Sequence, residues 1–312
     1  MSARVGIVVR TRKRPAFLAR ALADIAAQRF EDWQIVVVND GGDPGEVDQV
    51  IAESDASAQT TVIHIPPGEG GRCIAANRGI RATNAEFVVL HDDDDRWHPD
   101  FLDVTVAALD THPVDAGVAT ATEIVYEVER DGAWVESGRV RFWADMERIS
   151  LSEMLQVNRA VPISMLYRRA VHDEVGWYDE SLDAVEDWEF YLRVLAKHPI
   201  GFIGERVLAY WTQRPQASGA EANSMFDLAS EHRRDDQLVR DRALAEWVER
   251  EGLGLPLYLA GREARLLERL DELDRRLDEQ DRALLDGMRH EIDAHQPVMS
   301  RVRRLRERLR RR

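Results

Sequence analysis

The stretch VVLHDDDDRWHPDF, residues 88–101, sets Asp92, Asp93, Asp94 and Asp95 side by side behind an apolar run. Adjacent carboxylates repel, and converging ones are costly unless a cation lies between them or one holds a proton. In extended backbone, residues i and i+2 project to one side, so Asp92 and Asp94 are expected to point at a common object. Their hard oxygen donors suit Mg²⁺ or Mn²⁺, ions that usually keep open positions for phosphate oxygens. Asp93 and Asp95 are expected to face elsewhere, free to accept from a hydroxyl or to cap the helix that follows. A second acidic stretch, VGWYDESLDAVEDWEFYLRVL (175–195), places Glu186 and Asp187 near the start of a helix. There the positive end of the macrodipole favours carboxylates. Taken singly, the first stretch also fits a solvated loop with a helix cap, and the second a plain acidic helix start.

The elements that must carry these residues alternate in the βα manner. RVGIVVR (4–10), WQIVVV (33–38), TTVIHI (60–65) and EFVVLH (86–91) are short apolar, β-branched runs that read as strands of a parallel sheet. Between them, Pro15 opens a helix with Phe17, Leu18, Ala21, Leu22 and Ile25 at helical spacing. Helices are also expected over 47–53 and RCIAANRGIRATN (72–84). Strands and helices alternating at this pace imply right-handed crossovers. Ligands of such sheets sit at the carboxyl ends of the strands. RTRKRP, NDGG and HDDDD all fall at such ends, and their joint placement says more than any one of them.

Beyond residue 100 the style changes. Pro99 opens a helix, and an antiparallel hairpin is expected around Asp131-Gly132. Short helices and strand-like pieces such as PISMLYRR and RVLAYWTQ follow. From about 225 the pattern is almost wholly helical. Leu266, Leu270, Leu273, Leu277 and Leu284 form a short heptad seam that suits a dimeric coiled coil or an intramolecular helical hairpin. The expected division is therefore an α/β domain over 1–224, with halves at about 1–100 and 101–224, and a helical extension over 225–312.

Bulk properties exclude several classes of function. A formal net charge of -15 disfavours general affinity for nucleic acid. The one cysteine, Cys73, cannot close an intramolecular disulfide and suits a reducing cytoplasm. The start MSARVGIVVR does not read as a signal peptide, and no run is apolar enough to span a bilayer. The end RVRRLRERLRRR carries eight arginines against one glutamate. It reads as a solvated helix tail, or as a peripheral contact for an anionic membrane surface or an acidic partner.

In combination the motifs resemble the family 2 inverting glycosyltransferases of the GT-A fold. IVVRTRKRP, IVVVNDGG, GRCIAANRGI, FVVLHDDDDRWHPDFL and VGWYDESLDAVEDWEFYLR carry the likeness, over roughly residues 4–213. The resemblance implies a Rossmann-like nucleotide-diphospho-sugar fold, with a mostly parallel sheet flanked by helices. It assigns Thr11 and Arg14 to the nucleotide loop, Asn39 and Asp40 to the base or ribose, and Arg72 to the neighbourhood of the nucleotide. Asp92 and Asp94 would hold a divalent cation and the diphosphate, and Asp93 would lie close to the ribose or donor sugar. Asp187 would be the catalytic base, with Glu186 beside it. The first loop reads RTRKR where the family often has Pro-Thr-Tyr-Asn-Arg, and Asn39 and Ala76 stand where Asp and Arg are frequent. The Gln-x-x-Arg-Trp signature of processive synthases is absent.

The resemblance thus implies a metal-dependent, non-processive transfer from a nucleotide sugar, a UDP-sugar by family habit, to a glycan, lipid-linked or small-molecule acceptor. Two other functions are weighed against it. A sugar-phosphate nucleotidyltransferase would carry a Gly-rich basic loop after the first strand, and RTRKRP lacks the glycines. A non-catalytic scaffold acting through the helical tail would have no need of both carboxylate sets.

Overall fold

In the computed structural model, residues 3–217, 219, 229–295, 301 and 306 are described. The chain forms two compact units, residues 1–240 and 241–312, the first running past the boundary expected near 224. The first unit opens with β1 (Val5–Thr11), α1 (Pro15–Ala26), β2 (Trp33–Asp40), α2 (Pro44–Glu53), β3 (Thr60–Ile65), α3 (Arg72–Arg81) and β4 (Phe87–Asp92). It continues with β5 (Arg96–Trp97), α4 (Phe101–Thr111), the hairpin β6 (Gly117–Arg130) and β7 (Ala133–Arg141), and α5 (Leu151–Met154). β8 (Met165–Arg168), α6 (Val171–Val175), α7 (Glu186–Leu195) and β9 (Ile200–Gln213) complete the sheet region, and α8 (Ala229–Glu251) and α9 (Gly254–His295) follow.

Every residue of β1 is buried, because the strand lies between β2 and β4 with helices on both faces. Its side chains alternate between two cores, as the pleat demands. Val5, Ile7 and Val9 join α1, α2 and α4, whereas Val8 joins α3 and α7. Burial on both faces is why the strands read as unbroken apolar runs. At Gly79 of α3 a Cβ would overlap Val8 Cγ1, so glycine sets how closely the helix lies on the sheet.

Among the described residues the nine-stranded sheet runs β3-β2-β1-β4-β8-β6-β9-β5, with β7 paired to β6. β1 to β4 are parallel; β8 enters antiparallel between β4 and β6, and β6 and β9 then pair in parallel. The parallel half is the expected one, and the mixed half grows from the strand-like pieces seen after residue 150. Asp131 and Gly132 both have positive φ, as a two-residue hairpin turn of this hand requires. In the second unit, α9 is an unbroken helix whose seam leucines Leu266, Leu270, Leu273, Leu277 and Leu284 are all exposed.

Candidate active site

The carboxyl ends of β1 and β4 lie side by side, with Arg10 in register with Asp92. Arg10 closes the apolar strand and is 8% exposed in its side chain. Its Nε donates to Asp92 Oδ1 at 2.7 Å and its Nη2 to Asp92 Oδ2 at 2.9 Å, a forked pair. Burial works against the charge on Asp92, but the Arg10 guanidinium outweighs it and holds the carboxyl below its ordinary range. Thr11 Oγ1 donates to Asp93 Oδ2 at 2.7 Å. Arg14, from the loop that follows, stands 2.5 Å from Asp93 Oδ1 and 3.2 Å from Asp94 Oδ2. Arg214, just past β9 and fully buried, donates to Asp94 and lies 3.3 Å from Glu127.

The extended backbone expected through the four aspartates stops at Asp92, the last residue of β4: the Asp95 N–H donates to the Asp92 carbonyl at 3.1 Å, so the chain turns at Asp93 and Asp94. The i, i+2 rule therefore lapses, and each carboxylate meets a different set of partners. Asp92 is the most open, at 28% side-chain exposure against 0% for Asp93 and 8% for Asp94. Asp93 does take a hydroxyl, from Thr11. Asp95 caps no helix; its Oδ1 accepts the Thr212 N–H at 2.8 Å and so ties the turn to β9. Burial, reinforced by the charge of Asp94, pushes Asp95 well above the ordinary carboxyl range. Burial also pushes Asp93 up to about 7, with Arg14 opposing and Asp94 adding to the shift.

Glu186 and Asp187 open α7, as expected, with Glu189 completing an acidic first turn. Val185 precedes them at φ 56°, a left-handed conformation unusual for a β-branched residue. Glu186 is buried, and its Oε1 lies 3.1 Å from Arg10 Nη1 and 3.6 Å from Arg72 Nη1. A single guanidinium thus touches Asp92 and Glu186, and joins the two acidic motifs. Asp187 is partly buried; its Oδ2 accepts from Asn158 Nδ2 at 2.9 Å and its Oδ1 from the Trp188 N–H at 2.8 Å. Burial, then the neighbouring charge of Glu186, pushes Asp187 up to about 7.

Asn39 and Asp40 end β2, beside β1. Asn39 is fully buried and spends its amide on the turn that follows: Oδ1 accepts the Gly42 N–H at 2.9 Å, and Nδ2 donates to the Gly42 carbonyl at 3.0 Å. His64 Nδ1 lies a further 3.1 Å from that Nδ2. Asp40 packs against Gly70 of the loop before α3, and Arg12 is 3.9 Å away. Arg72 is the first residue of α3. Thr11, Arg14, Asp93 and Asp94 form one contact set, and Asp92, Glu186 and Arg72 form a second around Arg10; the two meet where Asp93 follows Asp92 in the chain, and Asp187 follows Glu186. Asn39 and Asp40 stand one strand further out. Arg10, Arg214, Glu127 and Asn158 were not foreseen. An arginine closing an otherwise unbroken apolar strand was a readable signal for Arg10, whereas Asn158 carries none.

The oxygen donors of Asp92 and Asp94 are of the kind that magnesium and manganese take, and two carboxylates leave positions for phosphate oxygens and water. No group of three or more acidic, His or Cys side chains among the described residues is arranged to hold a metal by itself. Asp92 is paired with Arg10, and Asp94 with Arg14 and Arg214, so a cation at either carboxylate would compete with those guanidinium groups.

The family model described as Glycosyl transferase family 2 matches residues 6–176, a span that contains Asp92–Asp95 and ends before Glu186. The chain is 29% identical over 192 residues to an uncharacterized glycosyltransferase of Bacillus subtilis, YwdF, covering 61% of this chain and 67% of that protein. It is 34% identical over 93 residues to the succinoglycan biosynthesis protein ExoW of Rhizobium meliloti, covering 29% and 28% of the two chains. Apart from the Bacillus protein, the chain spans 25% to 37% of the length of four curated relatives it matches. Among solved structures, TarS 1–349 of S. aureus in complex with UDP-GlcNAc aligns with a TM-score of 0.53 at 16% identity, over 81% of this chain and 75% of that one. The mannosyltransferase PcManGT from Pyrobaculum calidifontis, in complex with GDP-Man and Mn²⁺, aligns at 0.51 and 16%, over 86% and 81%. At such identities the likeness shows the fold, which is the expected one.

Proposed function

The chain belongs to glycosyl transferase family 2, and from that membership we propose that it is a non-processive, metal-dependent inverting glycosyltransferase. The observation that carries this reading is Arg10, whose guanidinium binds Asp92 on one side and Glu186 on the other. It puts a carboxylate suited to the donor diphosphate beside a carboxylate pair suited to the acceptor. Thr11, Arg14 and Arg72 line the nucleotide side, with Asp93 toward the ribose or donor sugar. Because the Asn39 amide is committed to its own turn, Asp40 is the better contact for base or ribose. A divalent cation, Mn²⁺ or Mg²⁺, at Asp92 and Asp94 would supply positive charge to the leaving diphosphate.

On the other side of the sugar, Asp187 accepts the proton of the acceptor hydroxyl as the hydroxyl oxygen bonds to the anomeric carbon and the bond to the diphosphate breaks. A base near 7 suits that task. Asn158 fixes its orientation, and Glu186, held by Arg10 and Arg72, raises its proton affinity. One displacement inverts the anomeric centre and needs no enzyme nucleophile.

A UDP-sugar is the first donor to test, given the fold shared with the UDP-GlcNAc complex, and the GDP-Man complex puts GDP-sugars next. The succinoglycan relative makes a glycan the first acceptor to test. No helix among the described residues is long and apolar enough to cross a membrane. We place the enzyme in the cytoplasm, resting on the anionic inner face of the membrane through its arginine-rich end, which apart from Arg301 and Arg306 lies outside the described residues. The exposed leucine seam of α9 suits a second copy of this chain. Incubating the protein with UDP-, GDP- and dTDP-sugars, with and without Mn²⁺, and measuring released nucleotide tests the proposal. Metal-dependent release from at least one donor, lost in Asp92→Asn, supports it; a complete absence of nucleotide binding would exclude it.

A further inference from the structure

Two segments place Asp187, and one helix outside the family match holds both. The first is the turn 183–185, which launches α7. The Asp183 and Ala184 N–H groups donate to Asp235 Oδ2 at 2.8 Å and 3.0 Å. Asp235 lies in α8, is fully buried, and also accepts from Arg234 Nε at 2.8 Å. The next residue, Val185, has φ 56°, and a non-glycine residue keeps that backbone only where its surroundings enforce it. The second segment is the end of α5 and the chain after it. Arg240 of α8 donates to the carbonyls of Leu155 at 2.8 Å and Gln156 at 3.1 Å. Its guanidinium lies 4.8 Å from the ring centroid of Trp188, next to Asp187 in α7. Two residues beyond Gln156, Asn158 donates to Asp187. Leu238 and Val239 seat the helix on the core that contains Trp188.

We propose that α8 is a positioning element for the reaction, with Asp235 setting the turn from which Asp187 emerges and Arg240 setting the segment from which Asn158 reaches it. Neither residue touches substrate. The chain's transferase activity then depends on residues 229–240, although they lie well past the 6–176 span that marks the family. The roles follow from chemistry. A single carboxylate oxygen can accept two neighbouring N–H groups, and a planar guanidinium can fork across two carbonyls where an ammonium is only a point charge. The proposal rests on Asp187 as the base, because the brace matters to turnover only if that carboxylate must be aimed.

The test compares Asp235→Ala, Asp235→Asn, Arg240→Ala and Arg240→Lys with Asp187→Asn, all in the full-length chain. Three readouts are taken: kcat, donor affinity, and hydrogen exchange over 181–188. Asp235→Ala and Arg240→Ala are expected to lower kcat by roughly ten- to a hundred-fold, the scale of a small misplacement, with donor affinity within about twofold. In Asp235→Ala the amides of Asp183 and Ala184 should also lose protection. Asp235→Asn keeps an acceptor oxygen and should restore most of kcat, whereas Arg240→Lys should not. Arg240 is at the surface, so its variants report even if Asp235→Ala does not fold. Unchanged kcat in Arg240→Ala together with unchanged exchange in a folded Asp235 variant would overturn the brace. So would a fall in donor affinity that matches the fall in kcat. If Asp187→Asn keeps its turnover the base reading fails instead, and the exchange of 183–184 still decides whether α8 holds the turn.

Discussion

Asp187 and Asp92 are both carboxylates, yet their neighbours push them in opposite directions. Burial and Glu186 drive Asp187 up to about 7, whereas the Arg10 fork holds Asp92 ionised. A general base works only when deprotonated, so turnover should rise with pH along a limb whose apparent pKa is about 7. Glu186→Gln removes a negative neighbour that favours the protonated form, and the limb should move to lower pH; a pH–rate profile of both proteins checks the sign. Arg10→Met should be costly to stability. It strands Asp92 and buried Glu186 together, and breaking a buried pair typically costs about 3–5 kcal/mol, measurable by chemical denaturation. Arg10 shows where reading by residue type falls short. An arginine at the end of an apolar strand is a readable signal, but its bridge to Glu186, 176 positions on, appears only where the carboxyl end of β1 meets the start of α7.

At the scale of elements, β1, β2 and β4 are legible because burial on two faces leaves an unbroken apolar pattern, whereas the two-residue β5 leaves none. The strand β8 lies inside the strand-like piece PISMLYRR, but its four residues from Met165 to Arg168 carry no sign that it enters antiparallel between β4 and β6. The DDDD run departs from its expected geometry for a related reason. Its residue pattern suggests an extended backbone, whereas tertiary partners fold it into a turn, with Thr11 and Arg14 on one side and the Thr212 N–H on the other. Close packing of α3 on the sheet gives a prediction of its own. In Gly79→Ala the new Cβ meets Val8 Cγ1 and lies 3.1 Å from Val38 Cγ2, so the variant should lose about 1–3 kcal/mol of stability. Thermal denaturation would show this, with donor binding retained in the protein that remains folded.

At the scale of the whole molecule, motif order along the chain was enough to anticipate the fold, but not the length of chain the site depends on. The helical pattern after residue 225 reads as one extension, yet its first turns belong to the compact unit that ends at Arg240. The exposed leucines of α9 then have a separate use. On the proposed pairing of this seam with a second copy, removing residues 252–312 should lower the mass seen by light scattering from two chains to one while leaving kcat within about twofold, because α8 is kept whole; a full-length chain that is already monomeric would contradict the pairing. The central claim is that the second acidic motif supplies the base and the first holds the donor. It is tested most directly by Asp187→Asn, with transfer and nucleotide-sugar binding measured on the same protein. The account predicts loss of transfer by at least about a hundred-fold with donor affinity nearly intact. Near-normal turnover in that variant would contradict it.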